Sequence, residues 1–264
     1  MTPMPTYFIS HGGGPWPWMP DMQQAFAPLA TSLAALPSEL PAPPRAILMV
    51  SGHWETPEVS VMTSPRPPML YDYYNFPAHT YQISYPAPGA PDLAARAAAL
   101  IAAAGLPVAR DNARGFDHGA FVPMAVSYPA ADVPMFQVSI RENYDPAQHF
   151  ALGRALAPLR DDGVLIVGSG LSYHNLRLFG PNAKQPSEQF DAWLNTTMAQ
   201  PPSDRTAALL NWETAPSARV CHEREDHLVP LFVALGAAED APATQVYHQT
   251  MILGGVTASS FRLG

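Results

Sequence analysis

The sequence is short of cysteine, of basic residues and of long apolar runs, and each shortage excludes something. With a single cysteine, Cys221, no disulfide can form within the chain, which fits a reducing compartment such as the cytoplasm. Lys and Arg number 14 against 22 Asp and Glu, a net charge of −8. An acidic chain without a basic cluster is not expected to bind nucleic acid or an anionic membrane surface. No run of 18 apolar residues occurs, and the Ala-rich stretch 93–105 is interrupted by Arg96, so it reads as a soluble helix and no membrane span is expected. The opening MTPMPTYFIS has neither a basic region nor a long apolar one, so no signal peptide is expected.

Several motifs are missing too. The phosphate-cradling G-x-x-x-x-G-K-[ST] and the dinucleotide-binding G-x-G-x-x-G do not occur. HGGG at 11–14 could supply amides to an esterase oxyanion hole, but that chemistry needs a serine in G-x-S-x-G. No serine here has glycine at both −2 and +2; Gly168-Ser169-Gly170 has the wrong spacing. Cys221 beside His222 is a weak nucleophile candidate, because adjacency in sequence says little about geometry.

What is present is an apolar chain, 47% hydrophobic and 14% charged, with 31 prolines, about twice the usual proline content. Short apolar runs read as strands at TYFIS, AILMVS (46–51), DVPMFQVSI and GVLIVGSG. Helical spacing is predicted over Asp21–Ala35, 91–105, PAQHFALGRALAPLRDD, SEQFDAWLNTTMA and HLVPLFVALGAA, the last ended by Gly236. Residues 57–90, rich in Pro and Tyr, read as a long ordered loop with a strand or two, and 244–264 as terminal strands. Helices alternating with buried strands predict one α/β domain over 1–264, its mostly parallel or mixed central sheet covered by helices on both faces.

Ligands of such sheets bind beyond the carboxyl ends of the strands. Three histidines follow strands directly: His11 before GGG, His53 in SGHWE and His174 in GSGLSYHN. His118 sits in GFDHGAFVP, read as a loop before a helix, and His222 and His227 in CHEREDHLVP. Any one of these is most often structural, but five clusters flanked by Gly, Ser and acids point to a metal. Imidazole suits both Fe(II) and Zn²⁺. His11 and His53 form the natural first pair; CHEREDHLVP offers His222, Glu223, Glu225, Asp226 and His227, and His227, His222 and Glu223 stay open as the third ligand, since Pro230 places regular helix only from about Asp226. His149, on a helix surface, and His248, in a strand, are expected to be structural. His79 falls in the Tyr-rich loop and could rim a pocket, and Trp16, Trp18 and the aromatics of YDYYNFPAHTY could wall one.

In order along residues 6 to about 236, FISHGGGP, SGHWE, YDYYNFP…YPAPG, RGFDHGAFVP, GSGLSYHN and HEREDHLVPL resemble the DOPA-dioxygenase-like class III extradiol ring-cleavage dioxygenases. They are related to the catalytic subunit of protocatechuate 4,5-dioxygenase. The resemblance implies a mononuclear non-haem Fe(II) site with His11 and His53 as ligands. It places the third ligand at His227, with His222 as the alternative. It implies an acid–base role for His174 and a substrate or oxygen contact for His118. The expected reaction inserts O₂ into a small, DOPA-like catechol to give a muconic semialdehyde-type product. The partners expected are that catechol and O₂, with the protein a monomer or small homo-oligomer. Zinc could be found bound in purified protein, and the residues alone leave open a zinc hydrolase or a non-enzymatic metal-binding relative.

Overall fold

The computed structural model describes residues 2–264. The strands are β1 (Thr6–Ser10), β2 (Ala46–Ser51), β3 (Glu55–Thr56), β4 (Val59–Met62), β5 (Val108–Asp111), β6 (Met135–Gln137), β7 (Ile140–Arg141), β8 (Val164–Gly170), β9 (Ala243–Ile252) and β10 (Val256–Leu263). The helices are α1 (Pro20–Ala25), α2 (Ala27–Ala35), α3 (Pro91–Ala103), α4 (His118–Ser127), α5 (Pro146–Leu156), α6 (Lys184–Met198), α7 (Pro202–Leu210), α8 (Ala218–Cys221) and α9 (Val229–Ala237). A six-stranded sheet in the order β6-β2-β8-β1-β10-β9 forms the centre. β6, β2, β8 and β1 run parallel, and the terminal hairpin β9–β10 adds antiparallel to β1. The sheet is therefore mixed, as the alternation of elements led us to expect.

β1, β2 and β8 are buried along their whole length, which is why they read as continuous apolar runs rather than alternating ones. Period-two geometry sends successive β8 residues to opposite faces. On one face a Cβ at Gly168 would meet the Pro230 carbonyl oxygen of α9 at 2.2 Å. On the other, the Ser169 hydroxyl donates to the carbonyl of Gly119 in α4. Helices thus cover both faces.

Several predicted elements are corrected. The helix expected over Asp21–Ala35 is two helices parted at Phe26, whose backbone (φ −105°, ψ 15°) leaves the helical region before Pro28. Pro28 has no N–H to continue the first helix and sits well in the first turn of the second. GFDHGAFVP is not a loop before a helix: α4 begins at His118, with Asp117 as its N-cap accepting from the Ala120 N–H at 3.1 Å. Gly236 does not end α9. It lies inside the helix, where a Cβ would meet the Phe150 carbonyl oxygen at 2.2 Å, so it serves the close approach of α5. His149 is fully buried rather than on a surface, its Nδ1 donating to the Asp145 carbonyl at 2.7 Å and its Nε2 accepting from the Arg141 N–H at 3.0 Å. Its expected structural part fits that setting.

Candidate metal centre and active site

β2, β8 and β1 are neighbours and parallel, so their carboxyl ends lie along one edge, with Ser10 level with Gly170 and Ser51 with Ser169. His11 follows β1, His53 follows β2 by two residues, and His174 follows β8 by four. Behind them runs the segment before α9. Its His227 carbonyl accepts from the Leu171 N–H at 3.0 Å, and a Cβ at Gly170 would meet that oxygen at 2.0 Å. Gly170 thus lets His227 sit against the strand end.

The glycines after His11 make the turn. Gly12 has φ +78°, and a Cβ there would strike the Trp16 ring at 2.5 Å. Trp16 is buried beneath this turn and its Nε1–H donates to the His11 carbonyl at 2.9 Å. Trp16 braces the histidine and does not wall the pocket. Trp18 also stands off the pocket, packing on Phe121.

Five imidazoles converge. The ring centroids of His11, His53 and His227 lie 5.0, 5.1 and 4.6 Å apart pairwise, and His53 Nε2 is 3.0 Å from His227 Nε2. Donor atoms of His11, His53 and His118 fall within 4.8 Å of one another, as do those of His174, Asp226 and His227. The His53–His227 contact joins the two groups. His174 stacks on His227 at 3.4 Å with 17° between the planes. His222, by contrast, is fully buried away from the cavity, edge-on to Phe190 and Trp212, with its Nε2 3.1 Å from the Ser172 carbonyl.

Two carboxylates orient the rings. Asp226 Oδ2 accepts from His227 Nδ1 at 2.8 Å, and its Oδ1 lies 3.8 Å from His174 Nδ1. Asp72 Oδ1 accepts from both the N–H and Nδ1 of His118, at 2.9 and 2.8 Å, and its Oδ2 is 3.4 Å from His53 Nδ1. With Nδ1 given to a carboxylate, His227 and His118 are left with Nε2 for a metal or substrate, the usual carboxylate–histidine support of a metal ligand. Below them the buried Asp117 accepts from Ser51 Oγ at 2.8 Å and Arg114 Nη2 at 2.7 Å, and Arg114 also donates to the His53 carbonyl at 3.1 Å.

Electrostatics keep His11, His53 and His227 neutral. Burial, then the neighbouring imidazoles, pushes His11 and His53 well below the usual histidine range. Burial and His174 lower His227 to about 4, against the opposing pull of Asp226. Burial would raise Asp226, but the neighbouring His174 and His227 rings outweigh that and hold it far down as a carboxylate. Neutral imidazole is the form that binds a metal. Both ring nitrogens of His11 are buried without a hydrogen-bond partner. An orphaned imidazole beside two facing Nε2 atoms fits a cation held among all three.

The cluster closes one end of a cavity of about 400 Å³, walled by Met22, Phe26, Tyr73, Phe76, Ile252 and Val256. That is ample for a single-ring aromatic molecule. Sequence reasoning expected Tyr-rich walls, and Tyr73, Tyr74 and Phe76 do line it. His79 lies outside it, its Nε2 3.1 Å from the Trp18 carbonyl. His248 is also outside, in β9, its Nδ1 3.2 Å from Ser259 Oγ. Sequence reasoning missed Asp72, whose one signal was an acid standing alone in an aromatic run.

A buried histidine cluster, backed by carboxylates and opening on an aromatic-lined cavity at the strand ends, gives this α/β protein a site that could hold a metal. Residues 5–264 match the family described as the catalytic LigB subunit of aromatic ring-opening dioxygenase, and the chain belongs to that family. It is a class III extradiol ring-cleaving dioxygenase, an oxidoreductase. Its relatives include a "4,5-DOPA dioxygenase extradiol" of Beta vulgaris, 37% identical over 97% of this chain and 95% of that one. Another protein of that name, from Escherichia coli, is 33% identical over 100% of this chain and 96% of that one. The "Dioxygenase tasH" of Hapsidospora irregularis is 35% identical over 92% and 81%. A crystal structure of an uncharacterized protein from Escherichia coli K12 superposes with a TM-score of 0.79 at 30% identity, covering 99% of this chain and 100% of that one. The family sets aside the hydrolase and non-enzymatic readings that the residues alone left open. Among the described residues, no helix is long and apolar enough to cross a membrane.

Proposed function

We propose that the protein, as one catalytic domain over 1–264, opens the ring of a small catechol beside its diol. Both atoms of O₂ enter the product, a muconic semialdehyde-type compound. In this reading a mononuclear Fe(II) is held by His11, His53 and His227. The observation that carries it is the 3.0 Å approach of His53 Nε2 to His227 Nε2 beside a His11 whose two ring nitrogens have no partner. His227 gives its Nδ1–H to Asp226, so its Nε2 is a lone pair aimed at His53, and a cation shared with His53 and His11 fits the arrangement. Its burial away from the cavity argues against His222 as the third ligand. Fe(II) fits the family's reaction, because Zn²⁺ suits the same donors but has no redox chemistry to offer O₂.

The bound metal would acidify the catechol hydroxyls and supply a place for O₂. The chain's own residues do the rest. His174, stacked on His227 at the cavity wall, takes a catechol proton at Nε2 and later returns it to the departing oxygen. Its Nδ1 faces the Asp226 carboxylate, which stabilises the imidazolium while the proton is held. His118, fixed by two hydrogen bonds to Asp72, presents its Nε2 to the substrate or to oxygen. The aromatic walls orient the ring and exclude water. Cys221, buried and unpaired, is consistent with function in the cytoplasm.

The test is an anaerobic Fe(II) reconstitution followed by a panel of catechols in aerated buffer. Stoichiometric O₂ uptake with a yellow semialdehyde absorbance is expected. Metal binding with no oxygen uptake on any catechol would overturn the reading.

A further inference from the structure

The cavity's chemistry narrows the substrate further, on the reading that it takes a catechol. Among the described residues no lysine or arginine lines it, and its formally charged wall residue, Asp72, is already engaged by His118 and His53. The nearby cations lie outside the lining: Arg177, on the loop after His174, is 85% exposed and 3.6 Å from Glu223, and Lys184 pairs with Glu188. The Tyr173 hydroxyl donates to the Leu178 carbonyl and that of Tyr73 to the Thr80 carbonyl at 2.6 Å, so neither points a free donor at a ligand. A carboxylate entering here would lose its water without gaining a cation.

The mouth is apolar as well. Seven large hydrophobic side chains are exposed among the described residues: Tyr74, Leu176, Phe179, Leu210, Val220, Met251 and Leu253. Of these, Tyr74 (79% exposed), Leu176 (67%), Phe179 (42%) and Leu253 (45%) rim this one cavity. They come from three separate segments, so local sequence does not explain their meeting. Exposed apolar side chains gathered at one opening mark a surface that a ligand covers.

We propose that the catechol taken by this pocket carries an uncharged, apolar ring substituent. The diol lies toward the histidines and the substituent toward the rim of Leu176, Phe179 and Leu253. Catechols bearing a carboxylate are disfavoured, so the chain departs in substrate from the DOPA for which its relatives are named.

The test uses three nearly isosteric probes with the Fe(II)-loaded protein near neutral pH. They are 4-butylcatechol, the methyl ester of 3-(3,4-dihydroxyphenyl)propanoate, and the free acid, with L-DOPA as a fourth. Anaerobic calorimetry gives Kd for each, and oxygen uptake gives kcat/KM. The alkyl catechol and the ester should bind and react better than the free acid and L-DOPA by roughly tenfold or more, since the acids set an unpaired charge against an apolar mouth. Leu176→Lys, which adds a cation at an exposed rim position, should narrow the ester-to-acid ratio severalfold. If the free acid or L-DOPA matches the ester, the proposal is overturned, and amides of the Gly12–Gly14 turn become the carboxylate's partners. If Leu176→Lys leaves the ratio unmoved, the substituent does not lie at this rim. If no catechol is cleaved but the order of Kd values holds, the ring-cleavage reading fails while the pocket preference stands.

Discussion

His53 Nε2 and His227 Nε2 lie 3.0 Å apart although 174 residues separate them in the chain. One follows β2, and the other lies two residues before α9. Parallel β8, which pairs with β2 and bears the α9 segment against Gly168 and Gly170, brings them together. The first expectation follows directly. His11→Ala, His53→Ala and His227→Ala should each lose most of the bound metal by elemental analysis, while His222→Ala keeps it. Metal lost from the His222 variant and kept by the His227 variant would reverse the assignment. Asp226→Asn should weaken metal binding by roughly 10–100-fold, as removal of a ligand's supporting carboxylate does.

The residues assigned to proton transfer and oxygen contact should separate from the ligands. His174→Ala should retain metal and lower kcat by roughly 10²–10⁴, the usual contribution of a general acid–base group. His118→Ala should also retain metal, with slower turnover. Stoichiometric metal with unchanged turnover in the His174 variant would remove its acid–base role.

Which parts of this were legible in the sequence has a physical explanation. β1, β2 and β8 are buried on both faces, so each reads as an unbroken apolar run, and the histidines just past their ends could be picked out. His227 and His222 stand five residues apart in one irregular segment, and nothing local distinguishes them. Only packing does, because Phe190 and Trp212 enclose His222 while the β2 and β8 ends hold His227. Asp72 was missed because its role arises from contact with His53 and His118, 19 and 46 residues away. The split of the first long helix was signalled by Pro28, which was absorbed into the helical spacing.

Stability should fall in mild acid partly through His149, which lies apart from the histidine cluster. Burial lowers it from 6.5 to about 4. Below the unfolded value the denatured chain takes up a proton that the folded chain refuses. Stability is therefore complete above about pH 6.5, declines as pH falls toward 4, and levels off below. The shift corresponds to at most about 3 kcal/mol. In urea titrations between neutral pH and the acid limb, His149→Gln should be less stable at neutral pH but show a shallower decline. An identical decline in both proteins would refute the assignment.

The α5–α9 contact should not tolerate a methyl group. In Gly236→Ala the new Cβ meets the Phe150 carbonyl at 2.2 Å, with backbone rather than a flexible tip opposing it. A loss of about 1–3 kcal/mol is expected, the usual cost of overpacking. Thermal unfolding should register about 2–4 °C per kcal/mol for a chain of this size. An unchanged Tm would show that the two helices can part at no cost.

The most direct test of the histidine cluster as a ring-cleaving centre is oxygen uptake by anaerobically Fe(II)-loaded protein given 4-butylcatechol, with the ring-opened product followed by its absorbance and mass. The account predicts one O₂ consumed per catechol and a product heavier by both oxygen atoms. It also predicts that the zinc-loaded protein will be inactive. Iron bound in full with neither oxygen uptake nor ring-opened product on any of the four catechols would contradict it.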